Sequence, residues 1–222
     1  MNFLSLCQRL RQEAGISGTG PTSVLNQTGE MKRVVDWVSS AYEDIQNIHL
    51  TWRFLRNPFT FPSIYNNQEY TPAAVSLNDF ASWIKNDIRL YSAVDDEDFL
   101  EYYPWEIFRE AYMFGSHRTL MGRPTIVSVK PNNSLMLWSI PNAAYTVVGE
   151  YYKSAQVMTT DVSVPILPTR FQMIIVWKAL MHYGAYAGAD EKYAHGSNEY
   201  KSLLFKLEIA ELEDMIFGEP LA

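Results

Sequence analysis

From Glu30 onward the apolar residues fall three or four apart: Met31, Val34, Val35, Val38, Ala41, Tyr42, Ile45, Ile48, Trp52 and Leu55. That stripe predicts an amphipathic helix from Glu30 to Arg56, roughly 40 Å long at 1.5 Å per residue. Asn57-Pro58 is expected to end it, because proline restricts the residue before it and cannot continue the hydrogen-bond ladder. A shorter stripe, Phe3, Leu6 and Leu10, predicts an N-terminal helix stopped by Gly15. Between the two lies a loop rich in Gly, Thr and Pro.

The middle of the chain follows a different period. "NPFTFPSIYNNQEYTPAAV" alternates apolar and polar positions between prolines and Asn-Asn, as short strands and turns do, and "DIRLYSAV" (87–94) reads as another strand. In "DDEDFLEYYPWEIFREAYMFG", Pro104 suits the first turn of a short helix and Gly115 its end. "PTIVSVK" (124–130), "SLMLWSI" (134–140) and "AYTVVGEYYKSAQVM" (144–158) read as a β-meander, with "PNN" and "PNA" as its turns.

Helical spacing returns at "PTRFQMIIVWKALMHYGAYAGADEKY" (168–193), the most apolar stretch of the chain. Thr169 with Gln172 three residues later predicts a capping box at its start. Its length approaches a membrane span, but Lys178 near the middle costs about 2.5–3.5 kcal/mol on an insertion scale, and His182 adds to that. A buried, water-soluble helix is therefore expected. Met173, Val176, Trp177, Leu180, Met181, Gly184, Ala187 and Gly188 make one apolar side. Phe171, Ile175, Lys178, His182, Ala185 and Tyr186 make a mixed second side, open to two readings: an intrachain edge or a contact with another subunit. A last helix is expected from Asp190 to Asp214, carrying Tyr193, Tyr200, Leu203, Leu204, Leu207 and Leu212, followed by a loose "FGEPLA" tail.

These elements imply an α+β fold. Residues 1–57 and 165–222 would form a helical bundle, and residues 58–164 a β-rich insertion of meander or sandwich type.

Composition narrows the function. The chain has 222 residues, 47% hydrophobic and 14% aromatic, enough for a real core, with Tyr and Trp suited to surfaces that become partly buried on association. A net charge of −7 argues against a surface that grips duplex phosphates. The single cysteine, Cys7, excludes an internal disulfide and a cysteine zinc cluster. The N-terminus lacks the basic region and continuous apolar run of a secretory signal.

Catalytic patterns are largely missing. "GTGP" has no strand–helix context for phosphate binding. His49, His117, His182 and His195 lack metal-ligand spacing, so no metal or cofactor site is expected. Asp95, Asp96, Glu97 and Asp98 form the densest acidic run. They would serve a hydrolase of cell wall or polysaccharide as acid–base groups, or simply form a solvated loop. Arg118, Arg123 and Lys130 are too few for a nucleic-acid patch.

The order of segments is itself informative. "PTSVLNQTGEMKRVVDWVSSAYEDIQ" and "WRFLRNPFTF" precede "GRPTIVSVKPNNSLMLWSIPNAAYTVVGEYY", and "PILPTRFQMIIVWKALMHYGAYAGADE" follows. This order resembles the adaptor, or head-to-tail connector, proteins of tailed bacteriophages. The resemblance implies a non-enzymatic virion protein, made in the host cytoplasm, that forms a homo-oligomeric ring, typically of twelve copies. The ring would join the portal protein to the tail or nozzle and let DNA pass without sequence readout. Twelve copies at −7 each would carry −84 formally, and with enough of that charge facing the lumen passing phosphates would be repelled and not trapped. On this reading Phe171, Ile175, Lys178, His182 and Tyr186 are the candidate subunit interface. Ile216, Phe217, Pro220 and Leu221 are a candidate portal-docking tail. The competing expectation within the virion is a tail terminator or tube component.

Overall fold

A computed structural model describes residues 1–212, apart from the Val94 side chain. The chain divides into two compact units, one from residues 1–55 and 155–222 and one from Arg56–Ser154.

The first unit is helical. It contains α1 (Phe3–Ala14) and α2 (Gly29–Ile48), and then α4 (Met173–Ala187) and α5 (Asp190–Glu211), with α3 (Trp105–Tyr112) belonging to the other unit. Asn2 caps α1 by accepting from the Ser5 amide at 2.9 Å, and Gly15 ends it in the left-handed conformation. Helix α4 packs against α1, α2 and α5, which is why it is apolar on more than one side. Ile174, Ile175, Val176, Ala179, Leu180 and Gly184 are its buried residues.

Contact between α4 and α5 depends on two glycines. A Cβ on Gly184 would lie 2.7 Å from the Tyr193 nitrogen, and one on Gly196 would lie 3.0 Å from the Trp177 carbonyl oxygen. The two backbones approach closely at both points.

Two expectations about these helices change. Helix α2 ends at Ile48, eight residues before Arg56, and Arg56-Asn57-Pro58 opens a strand. Trp52 causes the early stop: fully buried, it donates its indole N–H to the Ile45 carbonyl at 3.2 Å, satisfying a carbonyl the helix end leaves open. Trp52 and Leu55 are buried as the periodicity predicts, but they are carried in by a turn and a short 3-10 segment. The capping box of α4 does not form. Thr169–Phe171 makes a 3-10 turn, and the buried Gln172 side chain accepts from the Met1 nitrogen and donates to the Leu167 carbonyl at 3.4 Å.

The second unit holds short strands: β1 (Arg56–Pro62), β2 (Glu69–Tyr70), β3 (Phe80–Trp83), β4 (Arg89–Tyr91), β5 (Asp98–Phe99), β6 (Glu101–Tyr102), β7 (Met121–Gly122), β8 (Ile126–Val129), β9 (Leu135–Trp138), β10 (Ile140–Pro141) and β11 (Thr146–Lys153). β8 and β9 form the expected hairpin, antiparallel from Ile126↔Trp138 to Val129↔Leu135. The third meander strand departs from expectation. β11 leaves that sheet and becomes the centre of another, pairing with β1 along one edge and with β4 and β3 along the other. β8 and β9 instead sit in the order β2-β9-β8-β6, and β10 pairs with β7 alone.

Burial explains this division. β11 alternates strictly through Val147, Gly149 and Tyr151, a one-sided strand. Phe59, Phe61, Trp83, Leu90, Val127, Leu137 and Val147 from the two sheets share one core. β8 and β9 are buried on successive residues because α3 covers their other side, where Phe108 meets Ile126 and Met136.

Candidate subunit interface

The expected interface residues do not share one environment. Phe171 and Ile175 are 6% and 0% exposed within the helical unit. The sequence reading set both on an open side of the helix, whereas here both side chains lie in the core of their own unit. The start of α4 is surrounded by its own unit, which a two-faced picture of an isolated helix does not capture. Lys178 and His182 are half-buried and Tyr186 is 58% exposed. The candidate portal-docking residues Ile216, Phe217, Pro220 and Leu221 lie outside the described residues.

Lys178 and His182 are one turn apart on α4, and both turn toward Asp44 of α2. Lys178 Nζ is 3.5 Å from Asp44 Oδ2 and His182 Nε2 is 3.6 Å from the same oxygen. On the α5 side, the Lys178 ammonium lies 5.5 Å from the centre of the Tyr200 ring, a favourable cation–π placement. His182 Nε2 is buried without a hydrogen-bond partner among the described residues. Burial chiefly, and then the Lys178 charge, hold the His182 pKa below its ordinary value, with Asp44 opposing them. Burial likewise pushes the Tyr200 hydroxyl up, aided by Asp44 and Glu208.

An aromatic cluster continues this surface toward the start of α2. Trp37 packs on Tyr183 and Tyr186, with ring centroids 5.8 and 5.5 Å apart, and the Arg33 guanidinium lies 4.6 Å over the Tyr186 ring. Beyond the end of α2, His49 Nε2 meets Glu208 Oε1 of α5 at 2.9 Å. Exposed Ile48, Leu50, Phe205 and Ile209 flank that pair in sequence. Sequence reasoning missed Arg33, Trp37, Asp44 and Tyr183. The signal for α2 was present: Arg33, Trp37 and Asp44 lie within about 40° of one another on a 100°-per-residue wheel, off the buried stripe.

The acidic run in the other unit is engaged locally. Asp96 accepts from the Ser92 and Ala93 amides at 2.8 and 2.9 Å and pairs with Arg123 at 2.9 Å. Asp98 meets Arg123 at 3.2 Å and Glu97 meets Arg89 at 3.0 Å. The run staples a loop, and the Asp96 pKa is lowered first by its backbone hydrogen bond to Ala93. Among the described residues no group of three or more His, Cys, Asp or Glu side chains is placed to hold a metal ion. No described helix is long and apolar enough to cross a membrane.

The family description "SU10 adaptor protein" matches residues 1–216, nearly the whole chain. The chain belongs to the SU10 adaptor protein family. It is a structural virion protein, a head-to-tail adaptor of bacteriophage type. No curated protein matches it. One solved structure, "Neck of empty GTA particle computed with C6 symmetry", aligns over 80% of this chain and 76% of its own at 14% identity. The TM-score of that alignment is 0.25.

Proposed function

We propose that copies of this adaptor close into a ring, twelve in number, seated between portal and tail, with DNA passing through the centre and no reaction catalysed. Assembly would take place in the host cytoplasm. The two compact units would serve as separate domains, the helical one bearing the subunit contact.

The observation that carries this reading is the set of partly exposed charged and aromatic groups that α2 with its C-terminal end, α4 and α5 bring together: Arg33 and Trp37 with Tyr186, Lys178 and His182 with Asp44, and His49 with Glu208. Its residues match those that dominate protein–protein affinity when buried. A closed ring uses such a surface heterologously, against a different face of the next copy. The net charge of −7 per chain supports a channel that phosphates pass without being held.

Negative-stain microscopy and light scattering of the purified chain, with and without portal, test the proposal. Rings of twelve are expected in at least one condition. A chain that stays monomeric and binds neither portal nor tail components would overturn it.

A further inference from the structure

A groove of about 340 Å³ opens on the β-rich unit. One wall is the end of β3 with Trp83 and Lys85, and the other is Tyr102 of β6 with Trp105 of α3. Both strands are sheet edges, since β3 pairs only with β11 and β6 only with β8. The Glu101 and Tyr103 amides donate to Thr125 and Val127 carbonyls beside and within β8, each at 3.0 Å. Strand alternation therefore directs the intervening Tyr102 peptide to the open side. An edge beside a groove accepts a chain in extended form, with main-chain hydrogen bonds giving affinity and side-chain contacts giving selectivity.

The side chains restrict which chain fits. The Lys85 ammonium lies 5.1 Å from the Tyr102 ring centre, and the Lys130 ammonium 5.5 Å from that of Trp105. Trp83 is fixed by its indole N–H donating to the Asn133 carbonyl at 2.9 Å. Glu69 offsets Lys130 at 2.5 Å, whereas exposed Lys85 has no carboxylate partner among the described residues. With Lys130 paired, Lys85 is the ammonium left open on the lining, where Glu106 is the one carboxylate. The groove thus offers one unpaired ammonium, Lys85, between aromatic walls, which suits a carboxylate flanked by apolar side chains.

Two stretches of this chain are dense in acid. The run at 95–98 is drawn onto Arg89 and Arg123. The other, "ELEDMIFGEP" (211–220), carries Glu211, Glu213, Asp214 and Glu219 with no basic residue, interleaved with apolar ones. Residues 213–220 span at most about 26–29 Å when extended.

We propose that this acidic C-terminal segment of one copy docks in extended form in the Trp83–Tyr102–Trp105 groove of a second copy, a carboxylate of the segment meeting Lys85. The proposal rests on the reading that copies assemble.

The test titrates a synthetic peptide of residues 211–222, which contains no Trp, into dilute full-length chain, read by tryptophan fluorescence. Saturable binding is expected, weakened at least about fivefold by Lys85→Glu, as for loss of an ion pair that becomes an opposed pair. A peptide with Glu213, Asp214 and Glu219 each replaced by Lys should bind the Lys85→Glu chain better than the native peptide does. Absence of saturable binding, equal affinity for the Lys85→Glu chain, or binding of the peptide only to isolated portal overturns the proposal. Ring formation is scored separately by microscopy. Rings without peptide binding overturn the groove assignment alone, and peptide binding without rings overturns the ring reading alone.

Discussion

A charged side chain on a packed helix must find a partner or reach water, and Lys178 does both. Its ammonium sits between Asp44 and the Tyr200 ring, with the side chain 23% exposed. His182 is less well served, because its Nε2 is buried and faces Asp44 beyond hydrogen-bonding distance. The sign of its pH effect follows. The folded state favours neutral His182, so the unfolded chain binds its proton more readily. The stability contribution is fully present above the ordinary value of 6.5 and is lost as pH falls from there through the lowered folded value. Denaturation midpoints measured between pH 7.5 and 5 should fall more for the native chain than for His182→Gln; parallel curves would remove this account. Cys7 gives a second residue-scale prediction. Burial, with Asp161 adding repulsion, pushes its thiol up to about 12, and its side chain is inaccessible in the core. A thiol reagent at pH 8 should leave the folded chain unmodified and label it fully in denaturant.

Among the elements, the α4–α5 pair has the tightest requirement. Gly184 and Gly196 let two backbones approach within side-chain distance. Gly184→Ala should cost about 1–3 kcal/mol, as overpacking does, even though alanine favours helix locally. Chemical denaturation measures it, and a stabilised variant would show that the helices separate without loss. In the β-rich unit, Arg123 holds the 92–98 loop through Asp96, Asp98 and the Leu90 carbonyl. Arg123→Met should cost about 1–2 kcal/mol, discounted because the pairs are partly exposed. Protease susceptibility of that loop should rise with it. A variant as resistant as the native chain would mean the loop is held otherwise.

For the whole molecule, the question is whether the α2–α4–α5 surface separates folding from assembly. Lys178→Glu places a carboxylate beside Asp44 at a half-exposed site, where repulsion within one chain is moderated by solvent. Covered by another chain, the same pair loses that screening. Ring yield, read by light scattering, should therefore drop at least about tenfold while the melting temperature falls by only about 2–4 °C, on the scale of one ordinary destabilising change. Equal loss of both would make Lys178 a fold residue only.

Local period and turn chemistry already determined much of this protein. The 3.6-residue stripe of α2, the Gly15 stop, the Pro104 start of α3, the β8–β9 hairpin and the helical run at 173–187 depend on residues near in sequence. Their signals survive without tertiary context. The order of those segments was also enough for a family resemblance. Tertiary structure decided what depends on distant partners. Trp52 ends α2 because a core awaits its ring, and β11 leaves its hairpin neighbours because β1, nearly ninety positions earlier, offers a longer ladder. Phe171 and Ile175 were assigned to a surface that α4, packed against three helices, does not leave open at its start. Asp44 could be placed on a polar face of α2, but which charges it would meet was set only when α4 packed beside it. Periodicity records which side of an element is apolar, whereas only packing decides which of those sides is covered.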